Sequence, residues 1–192
     1  KFAGAVASYK IHYILPSGRV IEGPCYHNDG QNFAKAYDIK FLDESGKEQY
    51  AWQNTYAIST RMLGTLFAVH SDEKGLIIPP KMALNQVVIV PILFEDSKKK
   101  VLDEAEKIAK ELEEFSALVD SRENYKPGFK FNEWELRGVP VRIEIGPKDI
   151  EKKKVVVVRR YNGEKKEVAT KDVKKVVSGI LDEIQQALYK KS

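Results

Sequence analysis

Apolar and polar positions alternate through the first quarter of the chain. In ASYKIHYIL, residues 7–15, the alternation sets Tyr9, Ile11 and Tyr13 on one face, Ser17–Gly18 supplies a turn, and RVIEG returns. AYDIKFLDESGKEQYAW repeats the plan, with Tyr37, Ile39 and Phe41 alternating before the DESGK turn and the returning QYAW. The pattern predicts antiparallel strands over residues 3–53. The period then lengthens. Ala57, Ile58, Met62, Leu66 and Val69 recur at helical spacing and predict a helix at about 57–70. Arg61 falls on that apolar stripe. A guanidinium keeps its charge and is seldom buried unless paired. It therefore meets either an internal carboxylate or a phosphate or carboxylate ligand at the base of a cleft.

After IIPP at 77–80, where proline withholds a backbone donor, the pattern changes again. NQVVIVPIL at 85–93 is a nearly continuous apolar run, as for a strand covered on both faces. Val101, Leu102, Ala105, Ile108, Ala109, Leu112 and Phe115 make one face of a helix that Asp96 or Ser97 can cap. SALVDSR reads as a short strand, FKFNEWELRG as a short helix ending at Gly138, and VPVRIEIG and KVVVVRR as two more strands. A last helix at about 171–189, capped by Thr170, turns Val173, Val176, Val177, Ile180, Leu181, Ile184 and Leu188 inward. Strands interleaved with helices describe an α/β module. The division between the halves is expected at 82/83, giving units of residues 1–82 and 83–192.

Composition changes little. The 192 residues are 43% hydrophobic and 31% charged, as in ordinary globular domains. No run approaches the ~20 apolar residues of a membrane span, and a cytoplasmic protein is expected. Cys25 is a single cysteine, so neither an internal disulfide nor a Cys-rich zinc site is available, and no metal site is expected. The net charge of +4 is compatible with a polyanionic partner without requiring one. The chain begins with Lys1, which suggests a piece of a longer polypeptide. No glycine-rich phosphate loop of the P-loop or Rossmann type occurs.

One long stretch is more specific. WQNTYAISTRMLGTLFAVHSDEKGLIIPPKMALNQVVIVPI (52–92) resembles motif 3 and the following hinge of prolyl-tRNA synthetases, class II enzymes, in their archaeal and eukaryotic type. KFAGA (1–5), HNDGQNFAKAYDIKF (27–41), PGFKFNEWELRGVPVRIEIGPKDIE (127–151) and VVVVRR (155–160) have counterparts in the same order. The resemblance implies an antiparallel catalytic sheet, of which residues 1–82 are the C-terminal part, followed by an anticodon-binding domain with a mixed sheet flanked by helices. It implies that Arg61 contacts the phosphates of ATP, bound with Mg2+, and that Gln53, Thr55, Ser59 and Thr60 line the nucleotide pocket. Cys25, His27 and Tyr56 fall near the amino-acid pocket. In the second half, Phe131, Glu135, Arg142, Lys148 and Asp149 match anticodon-binding positions. Phe131 offers a stacking face, Glu135 can accept from the N1–H and N2–H2 edge of guanine, Arg142 can donate to O6 and N7, Lys148 suits phosphate and Asp149 can accept from a base amine. Read without the resemblance, Phe131 is a core residue, Glu135 and Arg142 a surface ion pair, and Lys148 a solvated end. Arg122, Lys126, Lys130, Arg159 and Arg160 are candidates for lining the anticodon stem.

The implied activity is proline activation with ATP and transfer to tRNA(Pro), in a homodimer. Motifs 1 and 2 of that family are not in this sequence, so the chain alone is expected to be inactive. Several pocket positions depart from the family pattern: Cys25 and Tyr26 replace Thr-Ser, and Val6, Glu22, Asp29, Tyr56 and Ala57 replace an acidic residue, Gln, Leu, Trp and Gly. The alternative is a non-catalytic tRNA-binding fragment, or a synthetase-like protein with altered amino-acid specificity.

Overall fold

A computed structural model describes residues 2–15 and 17–191. Lys1 of the KFAGA stretch, Pro16 and Ser192 lie outside the described residues. The chain divides into two compact units, Lys1–Val69 and His70–Ser192. The functional division expected at 82/83 falls inside the second.

In the first unit, β1 (Ala7–Ile14), β2 (Val20–Gly30) and β5 (Gln53–Ala57) form an antiparallel sheet in the order β1-β2-β5. Between β2 and β5 come a short helix, α1 (Asn32–Ala36), and a hairpin of β3 (Lys40–Leu42) and β4 (Glu48–Tyr50). The helix α2 (Arg61–His70) starts four residues later than its periodicity suggests. Ala57 closes strand β5 and Ile58 is 75% exposed, so neither joins an apolar helical stripe. The reason lies in QNTYA, whose strand pairing with Cys25–Gly30 outweighs the helical spacing downstream. Buried side chains here are few, and several are polar: Ala5, Ala34, His27, Asp29 and Thr65.

The second unit carries both apolar clusters found among the described residues. Its sheet, β10-β9-β8-β6-β7, is built from β6 (Val87–Pro91), β7 (Leu118–Val119), β8 (Val141–Ile145), β9 (Lys154–Arg159) and β10 (Lys165–Ala169). β6 is parallel to both of its neighbours, β7 and β8, while β8, β9 and β10 run antiparallel in turn. Alternate residues of β6 face opposite ways. Val87 and Ile89 meet α3 (Lys98–Glu111) and α6 (Val173–Lys191), and Val88 and Val90 meet α4 (Pro127–Arg137). Complete burial of this strand fits its unbroken apolar run. The inward residues of α3 and α6 are those their periodicity marks, from Val101 to Leu112 and from Val173 to Leu188. A five-residue helix, α5 (Pro147–Glu151), follows β8.

Two capping expectations are corrected. Ser97 stands at the N-cap of α3, but its hydroxyl donates backward to the Phe94 carbonyl rather than to the helix. Thr170 opens a short 3-10 turn, and its N–H donates to the Lys153 carbonyl. Strand β10 was not apparent in the pattern. KKEVA turns only Val168 into the core, as an edge strand permits.

Candidate nucleic-acid interface

Helix α4 lies on the sheet face opposite α3 and α6, with Trp134 over Val88 and Val90. Pro127 fixes its first turn, and Gly138 ends it in the left-handed region at φ 76°. One flank of α4 presents Phe131 and Glu135 toward β8. Arg142 projects from β8 to meet them: its guanidinium carbon lies 4.7 Å from the centre of the Phe131 ring. The guanidinium donates from Nε and Nη2 to Oε1 of Glu144, at 3.1 and 2.9 Å, and from Nη1 to the Phe131 carbonyl at 3.3 Å. Three of the five N–H donors of an arginine are thus occupied, and the group is held flat against an aromatic face.

Glu144 is the residue that sequence reasoning missed. It is 8% exposed, also receives Lys165 at 3.4 Å, and holds Arg142 in place. Arg142 and Glu144 are two apart on a strand and therefore share a face, which is the signal that identifies the pair. Glu135 is not Arg142's ion-pair partner. Its carboxylate lies 3.5 Å from Lys74, and it lines a narrow cleft together with Arg142, Trp134 and Val158.

Lys148 and Asp149 sit apart from this trio, on α5 beyond the carboxyl end of β8. The Lys148 side chain is exposed. Asp149 turns back on its own helix, its Oδ2 accepting from the Gly146 N–H at 2.8 Å. The structure therefore joins Phe131, Glu135 and Arg142, and presents Lys148 and Asp149 as a separate pair.

Two of the five supposed stem-lining cations are interior, and two more are paired nearer the surface. Lys130 is 1% exposed, donates to the Asp120 carbonyl at 2.9 Å and lies 3.7 Å from its carboxylate. Arg160 is 7% exposed and grips Asp72 with both terminal nitrogens, at 2.8 and 2.5 Å, and the Glu135 carbonyl with Nε. Arg122 binds Asp120 through Nε and Nη2, at 2.8 and 2.7 Å, and reaches Glu133. Arg159 pairs with Glu183 at 2.8 Å. Each satisfies a carboxylate of its own unit, which leaves Lys126 as the one among these five with an exposed head and no carboxylate partner among the described residues.

Asp120 anchors the largest polar network. It is 4% exposed and also accepts from Trp134 Nε1 at 2.8 Å. Burial pushes its carboxyl upward, but the hydrogen bonds from Arg122 and Trp134 and the charge of Lys130 outweigh it, so the group stays well below the usual carboxylate range. Burial moves Lys130 downward, opposed by Asp120. At Asp72 the Arg160 hydrogen bond is the chief cause of a carboxyl lowered to about 2.

The first unit arranges its candidates differently. Arg61 is exposed at the start of α2, and its Nη1 donates to the Glu22 carbonyl at 3.4 Å. It does not lie on a buried apolar stripe, because α2 begins at Arg61 itself. Ser59 and Thr60 precede it, their carbonyls accepting from Met62 and Leu63. His27 is 6% exposed, shares a 2.9 Å hydrogen bond with Ser8 and is covered by the Phe2 ring at 4.7 Å. Thr55 pairs with His27 across the sheet and donates to Asp29 at 2.8 Å. Asp29 Oδ1 and Gln53 Oε1 are buried without a partner among the described residues. Tyr56 lies on the opposite face of β5, 4.9 Å from Tyr26, so it does not share a pocket with Cys25 and His27. Strand alternation separates them. Among the described residues no group of His, Cys, Asp or Glu side chains could hold a metal ion, and no helix is long and apolar enough to cross a membrane.

Comparison with known proteins adds a similarity. Residues 86–180 match the anticodon binding domain family. Over 98% of its length the chain is 44% identical to a proline–tRNA ligase of Natranaerobius thermophilus, covering 39% of that protein. Over its full length it is 45% identical to the proline–tRNA ligase of Roseiflexus castenholzii, covering 41%, and to proline–tRNA ligase 2 of Bacillus cereus, covering 40%. The chain spans about two-fifths of the length of these curated relatives.

Proposed function

We propose that the second half reads the anticodon loop of tRNA(Pro), a reading supported by the match of residues 86–180 to the anticodon binding domain family within a chain similar throughout to proline–tRNA ligases. The observation that carries this is the clamped guanidinium of Arg142. Its contacts with Glu144 and the Phe131 carbonyl leave two N–H donors for a ligand. Two parallel donors match O6 and N7 of guanine. Phe131 gives a base a stacking face beside them, and Glu135 lines the same cleft with an acceptor for the guanine N1–H and N2–H2 edge. Lys148 and Asp149 serve a neighbouring nucleotide, Lys148 through its phosphate and Asp149 through a base amine. The test is equilibrium binding of an RNA hairpin carrying a proline anticodon, with its two guanines intact or replaced by adenine. Arg142→Ala should cost the intact hairpin about 1–3 kcal/mol and abolish its advantage over the adenine form. An unchanged advantage would remove Arg142 from the reading.

Residues 1–82 serve, in this proposal, as the C-terminal part of a class II catalytic domain. The full-length ligase activates proline with ATP and Mg2+, acts in the cytoplasm as a homodimer, and uses Arg61 against the triphosphate. The exposed position of Arg61 on α2 supports access to a ligand, and the nearby Glu22 carboxylate is already held by Lys10, so Arg61 keeps its charge outside any ion pair among the described residues. Arg61→Ala in the full-length ligase should depress proline-dependent ATP–pyrophosphate exchange at least tenfold. A second reading, altered amino-acid choice, is favoured by Asp29, whose buried carboxylate has one unpartnered oxygen. Exchange stimulated by an amino acid other than proline would select it.

A further inference from the structure

The connections from β6 to β7 and from β7 to β8 place α3 and α4 on opposite faces of the sheet, because β7 and β8 flank β6 on either side. A crevice therefore opens beyond the carboxyl ends of β6 and β7, the place where parallel sheets bind ligands. It holds about 290 Å³ and runs between Phe94 and Lys98 on one wall and Arg122, Tyr125 and Lys126 on the other. That volume is near the lower end of small-ligand sites, roughly 300–1,000 Å³, and suits one base. None of the residues assigned to guanine recognition lines it.

Its rim carries an unusual surface. Tyr125 and Phe129 are 39% and 52% exposed, yet their rings stack 4.7 Å apart at 12°. The Arg122 guanidinium lies over the other side of Tyr125, 4.9 Å from its centre, and is fixed there by Asp120 and Glu133. Phe94, across the crevice, is 60% exposed. Of the cations in the lining, Lys98 pairs with Glu123, and Arg122 and Lys130 pair with Asp120, which leaves Lys126 exposed and without a carboxylate partner among the described residues. A ladder of exposed aromatic rings ending on a held guanidinium, beside an unpaired lysine, is the chemistry that binds an unstacked nucleotide without reading its identity.

We propose that the rim of this crevice is a third nucleotide subsite, which stacks an unpaired base next to the two guanines on the outer face of Phe129, the open end of the ladder, and takes its phosphate on Lys126 at the crevice wall. The inference rests on the anticodon reading but uses different residues, so the two can fail separately. Geometry on α4 supports the arrangement. Phe129 and Phe131 are two positions apart on a helix and so lie on opposite flanks, and an RNA passing across the start of α4 meets both.

The test uses the 192-residue chain and single-stranded RNA oligonucleotides containing two adjacent guanines. 2-Aminopurine is placed on their 5′ side in one and their 3′ side in the other. Binding should quench the fluorescence of one of the two. The double variant Y125A/F129A should relieve that quenching and raise Kd roughly 5- to 150-fold, the equivalent of one lost stacked base, with guanine preference intact. Tyr125→Phe should behave as the unaltered protein. K126A should flatten the dependence of log K on log salt by about 0.7. R142A should do the reverse of the double variant, losing guanine preference while keeping the quenching. Undiminished quenching and affinity in the double variant would overturn the subsite and leave the anticodon reading standing. Quenching without any preference for guanine in the unaltered protein would support the subsite and overturn the guanine assignment.

Discussion

At the scale of single residues, partners decide what a charge does. Counting cations along 122–160 suggests a broad phosphate-binding surface, but Lys130, Arg122, Arg159 and Arg160 are consumed by Asp120, Glu133, Glu183 and Asp72. Most of those carboxylates are 10 or more residues away in sequence, and Asp72 is 88 away from Arg160, so spacing does not announce them. Glu144 is missed although the signal is present, since strand alternation puts it on the same face as Arg142. With Lys126 and Lys148 as the free cations near the interface, two phosphate contacts should give a salt slope near −1.4 for single-stranded RNA. A slope of −3 or steeper, from binding measured across salt concentrations, would mean that the paired arginines contact RNA after all. Glu144→Gln should leave the fold intact, since the amide keeps the shape, but free the Arg142 guanidinium to wander. Affinity for the guanine-bearing hairpin should fall about tenfold, a cost near the 1–3 kcal/mol of the bidentate contact itself.

At the scale of elements, helices announced themselves and polar strands did not. The stripes of α3 and α6 name their buried residues because each faces a single apolar cluster. β10 is hidden because an edge strand needs few apolar residues, and α2 starts later than its spacing predicts because strand pairing claims Ala57. The junction after α4 is a sharper case. Gly138 has φ 76°, and a Cβ there would lie 2.5 Å from the Leu76 carbonyl oxygen. The Ile78 N–H donates to the Gly138 carbonyl, and Leu76 donates to that of Leu136. Gly138→Ala should therefore destabilise the second unit by more than ~1 kcal/mol, read as a lower midpoint in urea. An unchanged midpoint would show that segment 76–78 yields freely. Acid should act through the same region. Asp72 is lowered to about 2 by Arg160, and Asp120 is lowered further by Arg122, Trp134 and Lys130 despite its burial. Carboxyls depressed in the fold contribute stability that is complete above their unfolded value, 3.8, and is lost as pH falls through the folded one. Urea midpoints should hold from pH 7 to about pH 5 and drop below pH 4. Asp72→Asn should flatten part of that fall.

At the scale of the molecule, the two units differ in how they are held. Residues from His70 on enclose a continuous core of aliphatic side chains, whereas the first unit leaves Tyr9, Ile14, Trp52 and Tyr56 largely exposed. A sheet with an uncovered apolar face has little to resist local opening. Limited proteolysis should cut within residues 1–69 first and leave a fragment containing 86–180 intact; equal rates in both units would contradict this. The resemblance that runs through both halves makes the architecture of the second legible in the sequence, whereas a list of positions carries no information on which face a strand turns and so does not separate Tyr56 from Cys25 and His27. The account stands or falls on guanine. The direct measurement is the affinity of this chain for a proline-anticodon hairpin against the same hairpin with both guanines replaced by adenine. The account predicts at least a tenfold preference for the guanines, erased by Arg142→Ala. Equal affinity for the two hairpins would contradict it.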